Sequence, residues 1–136
     1  MPNVKPIVVL CVDDDPRALL VRSRLLSAAG YDVQTASSSD AALSIFRRRQ
    51  ADVVIADQFL PRMNGIALAA ELKKVNAGVL IVLLAGSTEP PSTFAQTDLI
   101  LTKCMEPEQF LASIEKLVAT KGLYLARDRE VDGKAN

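Results

Sequence analysis

The sequence predicts an α/β fold: a doubly wound, five-stranded parallel sheet covered by helices on both faces. Three observations predict it. Five short β-rich apolar runs alternate with helix-like segments, the pattern of strand–helix–strand crossovers. Three of those runs, Ile7–Val12, Val53–Ile55 and Val79–Leu84, are continuously apolar, as strands buried on both faces are. Charged residues gather where the runs end: Asp13-Asp14-Asp15 after the first, Asp57 after the third and Lys103 after the fifth.

Taken in order, the strands are expected at 7–12, 32–36, 52–56, 79–84 and 99–102. Asp32-Val33-Gln34-Thr35-Ala36 alternates polar with apolar residues, which marks it as an edge strand. The first helix starts after Asp15, its N-cap, with Pro16 at the first position, where the missing N–H costs nothing. It carries a stripe of Ala18, Val21, Leu25 and Ala28 and stops at Gly30. A second helix runs from Ser38–Asp40 to about Arg49 with Ala42, Leu43 and Phe46 inward. Its end, Arg47-Arg48-Arg49, is expected to be solvated and favourable at the negative end of the helix dipole. A third begins near Gly65 with Ile66, Ala69 and Leu72 inward. The last begins after Pro107 with Leu111, Ile114 and Leu117 inward. Between the fourth and fifth strands, tandem Pro90-Pro91 and few strong helix formers leave room for one or two turns. The fourth helix of such a fold is therefore expected to be shortened. Residues 1–121 are expected to form one domain, and 122–136 a polar tail that is frayed or disordered.

The bulk composition narrows the function. A chain of 136 residues, 49% apolar and 24% charged, suits one soluble globular domain. Lys+Arg and Asp+Glu balance at 16 each, so there is no electrostatic footprint for direct nucleic-acid binding. No apolar run approaches the roughly 20 residues that span a bilayer. The first residues lack a signal-peptide cleavage pattern, so a cytoplasmic location is expected. Cys11 and Cys104 make neither a disulfide framework nor a zinc cluster; Cys11, inside an apolar strand, is expected in the core. The chain contains no histidine, which excludes a histidine base, ligand or phosphohistidine of its own.

In an open α/β sheet, ligands bind outside the carboxyl ends of the strands, where the strand order reverses. In the flavodoxin-like order 2-1-3-4-5, strands one, three and five bring Asp13, Asp14, Asp57 and Lys103 to one cleft. Three carboxylates so close would raise one another's pKa values unless cations compensate them. A Mg²⁺ ion and the Lys103 ammonium supply that charge, and Mg²⁺ needs only one or two direct carboxylates. A carboxylate is a competent nucleophile toward phosphorus, so the cluster suggests a phosphoryl acceptor at Asp57 with Lys103 on the transferring oxygens.

The arrangement resembles the receiver domain of two-component response regulators. Val12-Asp13-Asp14-Asp15-Pro16 is similar to the family's acidic pair after the first strand. Ala56-Asp57-Gln58-Phe59-Leu60-Pro61-Arg62-Met63-Asn64-Gly65 is similar to its phosphoacceptor strand end and following turn. Gly30-Tyr31-Asp32-Val33 and Ala41-Ala42-Leu43 also match. The similarity covers about residues 6–120. It implies Mg²⁺ held by Asp14 and Asp57, by Asp13 partly through water and by the Phe59 carbonyl. It also implies a phosphohistidine donor, on a histidine kinase or a histidine phosphotransfer protein. No enzymatic activity is expected beyond self-phosphorylation and slow self-dephosphorylation. The output partner is left open, as is a homodimer.

Three positions depart from the family pattern. Ala85 stands where a Thr or Ser hydroxyl is usual, with Ser87 or Thr88 as distant substitutes. Ile100 replaces the usual Tyr or Phe of the fifth strand. Cys104 replaces the Pro after the lysine, so a trans Lys103–Cys104 bond is expected, because a non-proline cis bond costs ~3–4 kcal/mol. These losses suggest that the chemistry is kept and the usual switch is not. They also leave an alternative, a degenerate receiver that binds proteins without phosphorylation. A phosphohydrolase of the haloacid-dehalogenase type is disfavoured, because Arg17 stands where Asp13-x-Asp15 should be followed by Thr or Val.

Overall fold

The computed structural model describes residues 5–86 and 96–125. Strands β1 (Val8–Val12), β2 (Asp32–Ala36), β3 (Val53–Asp57), β4 (Leu80–Ala85) and β5 (Leu99–Thr102) form one parallel sheet in the order β2-β1-β3-β4-β5. Among the described residues the helices are α1 (Pro16–Ala29), α2 (Ser39–Arg48), α3 (Gly65–Val75) and α4 (Pro107–Ala119). The strand positions agree with expectation to within one residue at each end, and β2 lies at the edge. The expected short helix before β5, Pro90-Pro91 and the hydroxyls of Ser87 and Thr88 lie outside the described residues.

Successive strand side chains point to opposite faces, so β1, β3 and β4 feed two cores. Val9, Cys11, Val53, Ile55, Val82 and Leu84 pack under α1 and α4, against Leu26, Ile114 and Val118. Leu10, Val12, Val54, Ala56, Ile81 and Leu83 pack under α2 and α3, against Phe46, Leu68 and Leu72. The helix starts obey local chemistry. Asp15 accepts from the Arg17 amide at 3.0 Å, Ser38 from Ala41 at 3.1 Å and Asn64 from Ala67 at 2.9 Å, each satisfying an amide with no intrahelical partner. Gly30 ends α1 at φ 110°, a left-handed conformation that glycine adopts without a Cβ penalty.

The inward face of α2 is the expected one, with Ala42, Leu43 and Phe46 all buried. On α3, Ala69 and Leu72 are buried as expected, but Leu68 is the third buried apolar side chain and Ile66 packs at the flank. On α4 the phase is one residue off: Phe110, Ile114 and Val118 point inward, and Leu111 and Leu117 flank them. Arg49 is not simply solvated, because its guanidinium pairs with Asp32.

The clearest correction concerns α1. Its buried face holds Leu26 and Ala29, with Leu19 packed against the same core, not Ala18, Val21, Leu25 and Ala28. Val21 is 57% exposed. Ala18, Val21 and Leu25 instead line a groove of about 350 Å³ with Met105, Pro107 and Phe110. Both helical phases of α1 are rich in apolar residues, and the phase facing the sheet is the one interrupted by Arg22. The packed chain also continues past residue 121, the expected end of the domain. Leu125 is 2% exposed, in the core that contains Ile7 and Tyr31.

Cys11 sits in this core as expected. Burial pushes its thiol up from 9.0 to about 12, with Arg22 opposing the shift and Asp13 adding to it. Cys104 is exposed. A thiol reagent at neutral pH is therefore expected to titrate one cysteine in the native protein and both in denaturant. The folded-state pKa is raised, so the Cys11 contribution to stability is complete below pH 9 and is lost as pH rises toward 12. Rapid modification of both thiols in the native protein would contradict this packing.

Candidate functional site

The register of the sheet builds the site. Val12 of β1 lies beside Ala56 of β3, so Asp13 and Asp57 emerge next to each other where the two central strands end. Ala85 of β4 lies beside Thr102 of β5, and the Lys103 amide donates to the Ala85 carbonyl at 3.0 Å. Lys103 must cross the end of β4 to reach Asp57. Its path is open because Ala85 and Gly86 are small; Lys103 Cδ lies 3.8 Å from where a Gly86 Cβ would stand.

The side chains expected at the site do converge. Asp13 is 1% exposed and Asp57 3%, whereas Asp14 is exposed. One carboxylate oxygen from each lies within 4.8 Å of the others. Asp57 Oδ2 accepts from Lys103 Nζ at 2.5 Å, and Oδ1 accepts from the Phe59 amide at 3.0 Å. The Phe59 side chain is exposed. The Asp13 Oδ1 atom accepts from the Asp15 amide at 2.9 Å.

One residue of the site has no counterpart in the sequence reading. Arg22 Nη1 donates to Asp13 Oδ2 at 2.6 Å, with the Arg22 side chain 15% exposed. The signal was the polar residue set between Leu19 and Leu26 on one helical face. A charge on a buried face needs a partner, and the carboxylate that supplies it comes from the end of β1.

The three atypical positions are also placed. Ala85 is buried and closes β4; Ile100 is half-buried beside Leu83; Cys104 is exposed in the turn after Lys103. The described residues include no cis peptide, so Lys103–Cys104 is trans as expected.

A doubly wound parallel sheet with paired acids, a further aspartate and a lysine at its carboxyl edge places the chain in the class of receiver-like flavodoxin-type domains. Comparison with known proteins makes this definite. Residues 9–115 match the response regulator receiver domain family. The transcriptional regulatory protein GlrR of Escherichia coli K12 is 33% identical over 115 residues, covering 82% of this chain and 26% of GlrR. The probable transcriptional regulatory protein TcrX of Mycobacterium tuberculosis is 35% identical over 80 residues, covering 59% of this chain and 34% of TcrX. Among solved structures, a receiver domain protein from Clostridium thermocellum matches with a TM-score of 0.78 at 27% identity, covering 85% of this chain and 97% of that one. A CheY-like receiver domain protein from Methanospirillum hungatei JF-1 matches with a TM-score of 0.80 at 26% identity, covering 87% and 98%. The chain belongs to the response regulator receiver domain family of two-component signal transduction. It spans about a quarter of the length of GlrR. No helix among the described residues is long and apolar enough to cross a membrane.

Receiver domains bind Mg²⁺ at an acidic pocket, and the donor set here fits that ion. Asp13, Asp14 and Asp57 offer hard oxygen atoms close together, the ligand type Mg²⁺ takes. Three carboxylates against Lys103 and Arg22 leave one negative charge uncompensated, which favours a further cation.

Proposed function

We propose that the chain accepts a phosphoryl group on Asp57 from a phosphohistidine of a partner protein. The observation that carries this reading is the Asp57 carboxylate, buried at the end of the central strand with Lys103 Nζ at 2.5 Å. A carboxylate oxygen of Asp57 forms the new P–O bond as the P–N bond to the donor imidazole breaks. The leaving nitrogen keeps the bonding pair and takes a proton from solvent, which leaves a neutral imidazole on the donor. Charge moves toward the phosphoryl oxygens during transfer, so a fixed ammonium there stabilises the transition state more than the ground state. Bound Mg²⁺, held by Asp14, Asp57, the Phe59 carbonyl and, partly through water, Asp13, would neutralise further charge on those oxygens. Lys103 and the Phe59 amide orient the Asp57 carboxylate, and the walls of β3 and β4 keep it from bulk water.

None of these 136 residues is a histidine, so the donor imidazole lies outside them, on a histidine kinase or a histidine phosphotransfer protein. A cytoplasmic location goes with this reading, as does the absence of turnover beyond self-phosphorylation and slow self-dephosphorylation. Incubation with acetyl phosphate and Mg²⁺, followed by intact-protein mass spectrometry, is expected to add one phosphoryl group to the wild type and none to Asp57→Asn. An unmodified wild type would sink the proposal. A second reading, a receiver that binds proteins without phosphorylation, is favoured by the buried methyl of Ala85 at the usual hydroxyl position. The same unmodified wild type would support it.

A further inference from the structure

We propose that Arg22 is a resident counter-cation of the acidic pocket, which shares Asp13 with the divalent ion and weakens that ion's hold. This rests on the reading of Asp13, Asp14 and Asp57 as the Mg²⁺ site. Arg22 Nη1 lies 2.6 Å from Asp13 Oδ2, and the other Asp13 oxygen accepts from the Asp15 amide at 2.9 Å. A dication or its water that uses Asp13 therefore meets a carboxylate already engaged at both oxygens. The site contains three carboxylates. With Lys103 and Arg22 the dication meets a net charge of −1; without Arg22 it would meet −2.

The pair is nearly dehydrated, the guanidinium side chain being 15% exposed and the carboxylate 1%, so solvent and salt screen it poorly. Guanidinium does not deprotonate at accessible pH, so its effect on the site is permanent. Arg22 is a positioning residue in this proposal: it occupies one Asp13 oxygen and its charge opposes that of the metal. An arginine that merely tied α1 to β1 would fix the helix and leave metal affinity unchanged.

Titration of wild type and Arg22→Met with MgCl2, followed by amide chemical shifts of residues 13, 14 and 57, separates these roles. The Arg22→Met protein is expected to bind Mg²⁺ about tenfold more tightly, equivalent to about 1.4 kcal/mol. Mg²⁺ is also expected to raise its melting temperature more than that of the wild type. Equal dissociation constants overturn the proposal. Silence of both proteins toward Mg²⁺ overturns the metal reading itself, and the inference with it. If Arg22→Met folds only when Mg²⁺ is present, the ion is replacing the guanidinium and the proposal stands. If it does not fold at all, the wild-type Arg22 Nε–Hε resonance decides: a shift on Mg²⁺ saturation supports the shared carboxylate, and an unmoved resonance overturns it.

Discussion

Replacing Lys103 by Met is expected to slow phosphoryl uptake from acetyl phosphate by about 10²–10³-fold, the cost of removing one fixed donor from developing charge. The ammonium sits 2.5 Å from Asp57 Oδ2 and is the cation nearest the proposed nucleophile. Methionine keeps much of the stem that crosses Ala85 and Gly86, so packing changes little while the charge is lost. The Asp57 carboxylate, 4% exposed, then keeps the Phe59 amide but not its ion partner. A buried carboxylate deprived of its cation is destabilising, so denaturant resistance in EDTA is expected to fall and to recover partly with Mg²⁺. Uptake rates by mass spectrometry and denaturation curves in the two conditions check both halves. An unchanged uptake rate in Lys103→Met would remove Lys103 from the transfer step.

Substituting Gly65 by Ala tests how the phosphoacceptor strand is held. Helix propensity alone would stabilise this change by up to ~1 kcal/mol. Packing reverses the sign. A Cβ at Gly65 would stand 2.6 Å from the Asp57 carbonyl oxygen, 2.9 Å from Leu83 Cδ2 and 3.1 Å from Gln58 Cα. Two of those three atoms are backbone, and the Gly65 amide also donates to the Gln58 carbonyl at 2.9 Å. The start of α3 must therefore lift away from the end of β3. We expect a loss of about 1–3 kcal/mol, the usual range for overpacking, read as a lower denaturation midpoint. Slower phosphoryl uptake should accompany it, because Asp57 moves with its carbonyl. A Gly65→Ala protein as stable as the wild type would show that the close approach is not needed.

Much of this molecule was legible from residues in order. Continuous apolar runs placed β1, β3 and β4, because strands buried on both faces leave no room for alternation. Ser38 and Asp15 marked helix starts through local hydrogen bonding, and Pro16 through its fixed φ and missing N–H; none of these needs a distant partner. Asp13, Asp14, Asp57 and Lys103 were legible for a similar reason: each lies at the last residue of a strand or within two residues of its end, so chain position fixes its place at the carboxyl edge. The phases of α1 and α4 were less legible. Both helices are apolar around more than half their circumference, and periodicity cannot choose between two adjacent stripes of similar strength.

The sequence by itself determined the alternation of strands and helices, the gathering of the acids and the lysine at strand ends, and the absence of histidine from these residues. Only the tertiary structure decided which face of α1 turns inward. That choice depends on a contact between residues nine positions apart on different elements, Arg22 and Asp13. An arginine on an inward stripe is unfavourable until a buried carboxylate meets it. The carboxylate is in place only once β1 has paired with β3 and α1 has packed across the sheet. Local pattern shows an arginine set between Leu19 and Leu26 but not the carboxylate it meets, because a charge–charge contact across elements depends on where the backbone has travelled, not on which residues stand beside it in the chain.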